Sequence, residues 1–142
     1  MNHRRLLAIF SVGLFLAALP FAALTPVGGA AGNYSGTTGL ECLFAGWLSV
    51  MDYRMWPGAI AWLANPVYLF LLAASLSERR RARIPAYASV LPLVLASGCF
   101  AFTTMVTNAE TDAVAVPVRL GLGAYLWLAS LAAFAGTAAP AS

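Results

Sequence analysis

The sequence predicts an all-α membrane protein of four transmembrane helices with a short amphipathic helix on the outer surface. Three observations predict it. Hydrophobic residues make up 61% of the 142 and charged residues only 9%, with a mean hydropathy of +0.81; soluble domains carry about 25% charged and about 45–50% apolar residues. Four apolar stretches without Asp, Glu, Lys or Arg approach the roughly 20 helical residues that cross a bilayer core. The arginines lie between those stretches in a strongly asymmetric way. The low charge excludes a disordered chain, and two cysteines exclude a disulfide-rich scaffold. Backbone groups in lipid must be satisfied within the segment, so each stretch reads as a helix.

The first span runs from about Leu6 to Leu24. His3-Arg4-Arg5 before it and Gly29-Ala30-Ala31 after it imitate a secretory leader. The apolar run is longer than the 7–15 residues, roughly, of a leader's core, so a retained anchor is expected. Thr25 to Trp56 lies outside lipid and is too short to fold alone. Its first part, Thr25 to Gly39, is rich in Gly, Thr and Ser and reads as a loop; the glycosylation-like triplet Asn33-Tyr34-Ser35 within it reads as chance. Leu40, Leu43, Phe44, Trp47, Leu48 and Met51 then recur at helical spacing and make one apolar face over about 40–51. Thr38 and Glu41 have the spacing of a capping box at its start. This helix either lies in the outer interface or packs as a lid over the bundle.

The second span runs from about Pro57 to Leu76 and the third from about Ala86 to Val106. The outer loop Thr107 to Val118 follows, with Thr107 and Glu110 spaced to cap one helical turn and Pro117 placed for the first turn of the next helix. The fourth span runs from about Leu120 to Ala139. Arg119 at its start faces the positive end of a helix and calls for an acidic neighbour: Glu110, Asp112, Glu41 or Asp52.

Arg4, Arg5, Arg79, Arg80, Arg81 and Arg83 fall on one side of these spans, and only Arg54 and Arg119 on the other. The positive-inside rule therefore puts both termini in the cytoplasm. The basic balance reflects orientation and gives no reason to invoke nucleic acid. The absence of Lys beside 29 Ala fits a GC-rich bacterium, hence the inner membrane.

Polar groups inside spans are costly and informative. Asn65 lies mid-span just before Pro66, which removes a backbone donor and frees the Trp62 carbonyl. Asn65 is positioned to bond across to Ser130, Thr103 or Thr104, either as glue at a kink or as part of a ligand or ion site. Pro20 and Pro92 promise kinks in spans one and three. Gly13 and Ala17, Ser97 and Ala101, and Ala132 and Gly136 have the spacing that permits close helix contact. A Cys42–Cys99 disulfide needs Cα atoms within about 7 Å, and so an outer helix that dips inward; two reduced thiols are expected. The single histidine, His3, excludes His-ligated haem or metal, and no catalytic set assembles.

Gly39-Leu40-Glu41-Cys42-Leu43 running into Gly46-Trp47, then Trp62-Leu63-Ala64-Asn65-Pro66, then Gly123-Ala124-Tyr125-Leu126-Trp127-Leu128-Ala129-Ser130 resemble a loose family of small, uncharacterised bacterial four-span inner-membrane proteins. The resemblance covers about Leu6 to Ala135. It implies the topology, implies no activity, and marks Cys42, Trp47, Asn65, Pro66, Tyr125 and Trp127 as positions of interest.

These readings lead to a non-enzymatic membrane protein, an accessory or stabilising subunit of a larger energy-transducing or photosynthetic complex. Trp62, Trp127, Tyr125 and Phe70 would contact partner helices, lipid or pigment; no cofactor is expected beyond such bound lipid or pigment. The expected partners are the bilayer and other membrane subunits or copies of the chain. The alternatives are an oligomeric transporter or channel with Asn65, Ser130 and the Pro66 kink lining its path, and a redox or sensing protein using Cys42 and Cys99.

Overall fold

A computed structural model describes residues 3–27, 36–51, 56–76, 85–101, 103–108 and 113–138. Helix α1 (His3–Ala18) ends two residues before Pro20, whose ring disfavours helical geometry at Leu19. A turn leads into strand β1 (Ala22–Pro26), and β2 (Thr37–Thr38) follows. Helix α2 (Gly39–Ala45) continues as a 3₁₀ turn, Gly46–Met51. Helix α3 (Trp56–Leu76) is the longest at 21 residues, about 31 Å by helical rise. The third helical segment is composite: a 3₁₀ turn Ala86–Val90, helix α4 (Leu91–Ala96) and a 3₁₀ turn Ser97–Ala101. Strands β3 (Thr104–Asn108) and β4 (Ala113–Leu120) lead to helix α5 (Leu122–Ala135), extended by a 3₁₀ turn to Ala138.

The chain is thus mostly helical, and the helical prediction holds at that level. The sheet is a correction. Its four strands are antiparallel in the order β2-β1-β4-β3. Leu24 pairs with Leu120, Thr25 with Arg119 and Pro26 with Val118, which joins the two segments read as loops. The hairpin of β3 and β4 pairs Thr104 with Pro117 through Asn108 with Ala113. Thr107 is therefore a strand residue rather than a helix cap, and Pro117 belongs to β4 rather than to the first turn of α5. Residues read as the ends of spans one, three and four (22–24, 104–106 and 120) are strand, so those helices are shorter than expected. Among the described residues one helix is long and apolar enough to cross a membrane, Trp56–Ser75, with mean hydropathy 1.5; Tyr87–Ala101 and Leu122–Ala138 are apolar but shorter. Arg79 to Arg83 and the triplet at Asn33 lie outside the described residues.

The C-terminal end of α1 is the meeting point of sheet and helices. Gly39 N–H donates to the Phe21 carbonyl and Leu40 N–H to the Leu19 carbonyl, both at 2.9 Å. A side chain at Gly39 would come within 2.5 Å of the Ala18 carbonyl oxygen, and one at Gly123 equally close to that of Phe21. These two glycines let α2 and α5 start directly against the end of α1. The core beneath comprises Phe15, Ala64, Tyr68, Leu71, Ala96, Leu131 and Phe134, with α1 packed most extensively on α5.

The expected capping box is present: Glu41 N–H donates to Thr38 Oγ1 at 3.2 Å, and Thr38 N–H donates to Glu41 Oε2 at 2.7 Å. The Thr38 backbone bond, then its hydroxyl, holds the Glu41 carboxyl below its ordinary value of 4.5, against a small opposing effect of burial. The stabilisation is complete above that ordinary value and is lost as the pH falls through the lowered one. Thr38→Ala should cost about 1 kcal/mol and speed amide exchange across α2, and acidification well below the ordinary value of 4.5 should act in the same direction on the native chain; hydrogen exchange with mass spectrometry checks both.

Candidate functional site

Two polar constructions lie inside the bundle. The first joins three helices. Ser11, Tyr68 and Ser130 are buried, from α1, α3 and α5. Ser11 Oγ donates to the Ser130 carbonyl at 2.8 Å. A serine hydroxyl has one proton, so Tyr68 O–H is the donor in the 2.9 Å contact with Ser11 Oγ. The Tyr68 ring stacks on Phe15 and meets Phe134 edge-on, both at 5.2 Å between centroids. Ser130 Oγ turns back to the Trp127 carbonyl at 2.7 Å.

The second lies toward the sheet. Trp127 Nε1 on α5 donates to Asn65 Oδ1 on α3 at 2.8 Å. Asn65 therefore pairs with Trp127 rather than with Ser130 or Thr103. Trp62 Nε1, one turn before Asn65, donates to the Leu43 carbonyl at 2.8 Å and fastens α2 to α3. Gly46 permits this, since a side chain there would collide with the Trp62 ring. Trp62 and Trp127 are thus half-buried and bonded within the bundle, whereas Tyr125 and Phe70 are exposed. Pro66 sits inside the continuous helix α3 and is exposed. Pro20 lies in the turn after α1, and Pro92 at the start of α4, where proline is tolerated.

Between these contacts and the sheet lies a cavity of about 120 Å³. Asn65, Trp127 and Trp62 line it, together with Cys42, Cys99 and Phe15 among others. Among the described residues, none that lines it is charged. Ser130 and Pro66 are not among its lining residues.

Helix α2 and the turn after it cover the cavity with a face other than the apolar stripe, which turns outward. Gly39, Cys42, Leu43 and Gly46 line the cavity, while Leu40, Phe44, Trp47 and Leu48 are exposed. Of the apolar stripe's described side chains, only Leu43 also lines the cavity. Small residues allow α2 to sit close to α1 and α3, and the larger apolar side chains then point outward. The Met51 side chain lies outside the described residues.

Cys42 and Cys99 are both free thiols, half-buried and buried respectively. Burial, and secondarily the Glu41 charge, pushes the Cys42 thiol up to about 11, opposite to the shift that activates a cysteine. Arg119 Nε donates to Thr25 Oγ1 at 3.3 Å, and Thr25 Oγ1 donates to the Arg119 carbonyl at 3.4 Å. This cross-strand contact engages Nε and leaves the expected ion pair untested at three of its four candidate partners. Glu41 is taken by the capping box, and Asp52, Glu110 and Asp112 lie outside the described residues. No group of three metal-binding side chains occurs among the described residues.

Sequence reasoning missed Ser11 and Tyr68. A mid-span serine on α1 and tyrosine on α3 are polar groups of the kind that nominated Asn65, and the same argument applied to them would have found the contact. Comparison with protein-family models, curated proteins and solved structures finds no match.

Ser11→Ala strands both the Tyr68 hydroxyl and its share of the Ser130 carbonyl, so it should destabilise the protein by about 2 kcal/mol, more than Tyr68→Phe at about 1 kcal/mol; denaturant titration in detergent measures both. Alkylation of Cys42 in a Cys99→Ser chain should be slow at pH 7 and rise about tenfold per pH unit between pH 7 and 9, as expected for attack by a scarce thiolate; mass spectrometry follows it.

Proposed function

We propose that the chain is a non-enzymatic, four-span protein of a bacterial inner membrane, both termini cytoplasmic, that serves as an accessory or stabilising subunit of a larger membrane complex. The observation that carries this reading is the distribution of side chains. The helical interior combines small and hydrogen-bonded residues, Ser11, Ala64, Asn65, Ala96 and Ser130, with a few large ones, Phe15, Tyr68, Leu71, Leu131 and Phe134. The exterior also carries large apolar side chains, on every long helical segment: Ile9, Phe10 and Leu16 on α1, Ile60, Leu63, Leu69 and Phe70 on α3, Leu91, Val94 and Phe100 on the third, and Leu122 and Tyr125 on α5. In water such a surface would aggregate; in lipid it is the expected outer layer. The arginine distribution orients it.

The accessory role is supported by small residues left uncovered. Gly13 and Ala17 on α1, and Ser97 and Ala101 on the third segment, are exposed, and a side chain at Gly13 would meet nothing within 4 Å. Their spacing suits close approach by a helix of another subunit.

Reporter fusions test the topology. Four spans place fluorescent-protein fusions at both ends in the cytoplasm; a single span through α3 places the ends on opposite sides. Mild-detergent purification from native membranes tests the role. A partner subunit should co-purify, and Gly13→Leu with Ala17→Leu should release it. A chain that always migrates alone at its own mass overturns the accessory reading.

A further inference from the structure

The cavity under α2 has the features of a small-molecule site, and the argument for it is independent of the accessory role. Asn65 is 7% exposed, and its carboxamide has a fixed orientation. An indole N–H only donates, so the 2.8 Å contact with Trp127 commits Asn65 Oδ1. The amide nitrogen carries two further donors that the Trp127 contact does not use. Asn65 lines the cavity, so its nitrogen is the group with hydrogen-bonding capacity to offer there.

The rest of the wall restricts what can use that donor. Trp62 Nε1 is already bonded to the Leu43 carbonyl. Cys42 and Cys99 contribute thiols, which behave as small apolar groups. The other described side chains of the lining are aliphatic, aromatic or absent at glycine, and none of them is charged. Such a wall disfavours ions and polyols. The volume of about 120 Å³ is close to that of a dry engineered cavity of about 150 Å³ that holds benzene. It accommodates one ring or a short length of alkyl chain.

We infer that this cavity binds an uncharged, lipid-soluble molecule that inserts a carbonyl oxygen toward the Asn65 amide nitrogen and lays its apolar body against Phe15, Trp62 and Leu43. Two membrane-soluble sources carry that chemistry: the ester carbonyl of a neutral glyceride and the ring carbonyl of an alkylated quinone.

The test uses the full chain in detergent with Cys99→Ser, so that Cys42 on the cavity wall reports occupancy through its rate of alkylation. The probes are a medium-chain fatty-acid methyl ester standing for the glyceride ester carbonyl, a fully ring-substituted benzoquinone with an alkyl tail, and an alkane of matching length. At least one carbonyl probe should slow alkylation of Cys42 saturably, by fivefold or more, and the alkane should not. Protection by the ester alone identifies a glyceride-type ligand; protection by the quinone alone identifies a quinone. Asn65→Leu should raise the half-saturating concentration about tenfold. Trp127→Phe, which retains the Asn65 amide, should raise it less than threefold, separating hydrogen bonding to the ligand from support of the fold. Ala124→Leu, which fills the cavity from α5, should abolish protection. Equal protection by the alkane, no protection by either carbonyl probe, or protection unchanged in Asn65→Leu overturns the inference.

Discussion

Tyr68 holds its hydroxyl at the centre of three helices, and much of the packing follows from how that hydroxyl is satisfied. It donates to Ser11, and Ser11 in turn donates to the Ser130 carbonyl. Each bond is modest, on the order of 1 kcal/mol, but each fixes a rotation. Tyr68 must face α1 and α5, which places Phe15 and Phe134 against its ring. The same rotation of α3 turns Asn65, three residues earlier, into the interior, where Trp127 reaches it one turn before Ser130 on α5. Both polar contacts therefore depend on one relative setting of α3 and α5, and α1 is locked to them through Ser11.

The sheet imposes the second constraint. Strand β1 leaves the end of α1 and pairs with β4, which enters α5, so the two helices are tied at one end through their connections. Gly39 and Gly123 then allow α2 and α5 to begin against the carbonyls of Ala18 and Phe21. The cavity is a consequence. Small residues bring α2 close to the bundle at its edges, and Leu43 is the one large side chain of α2 that lines the space beneath. Side chains at Gly39 or Gly46 would close the gap or push the helix away.

The legibility of the site varied residue by residue. The Thr38–Glu41 cap was readable because both partners lie within one turn and local geometry alone decides the bond. Asn65 was readable as a polar group that had to be satisfied, but its partner was not. Trp127 presents a large apolar ring, and its single N–H becomes decisive only once α5 is placed beside α3. The α2 pattern left open which way its apolar face would turn, for a related reason. Apolar periodicity normally marks the buried face, yet here the face carrying Phe44 and Trp47 is exposed and the glycine-bearing face is covered. When the surroundings are themselves apolar, hydrophobicity stops separating inside from outside, and side-chain size takes over.

From the sequence alone follow the apolar character of the chain, the approximate helical segments, the short capped helix after Thr38 and the arginine asymmetry. All are set by composition and by contacts within a few residues. Tertiary structure decided the rest. Strands β1 and β4 pair across more than ninety positions of sequence, and edge residues such as Leu24 and Leu120 look equally at home in a helix until they meet. The partners of Asn65 and Tyr68, the Arg119–Thr25 contact, and the cavity lined by Cys42 and Cys99 depend on the same long-range placement. A hydrogen-bond donor in the sequence declares that it must be satisfied; only the packed structure determines by what.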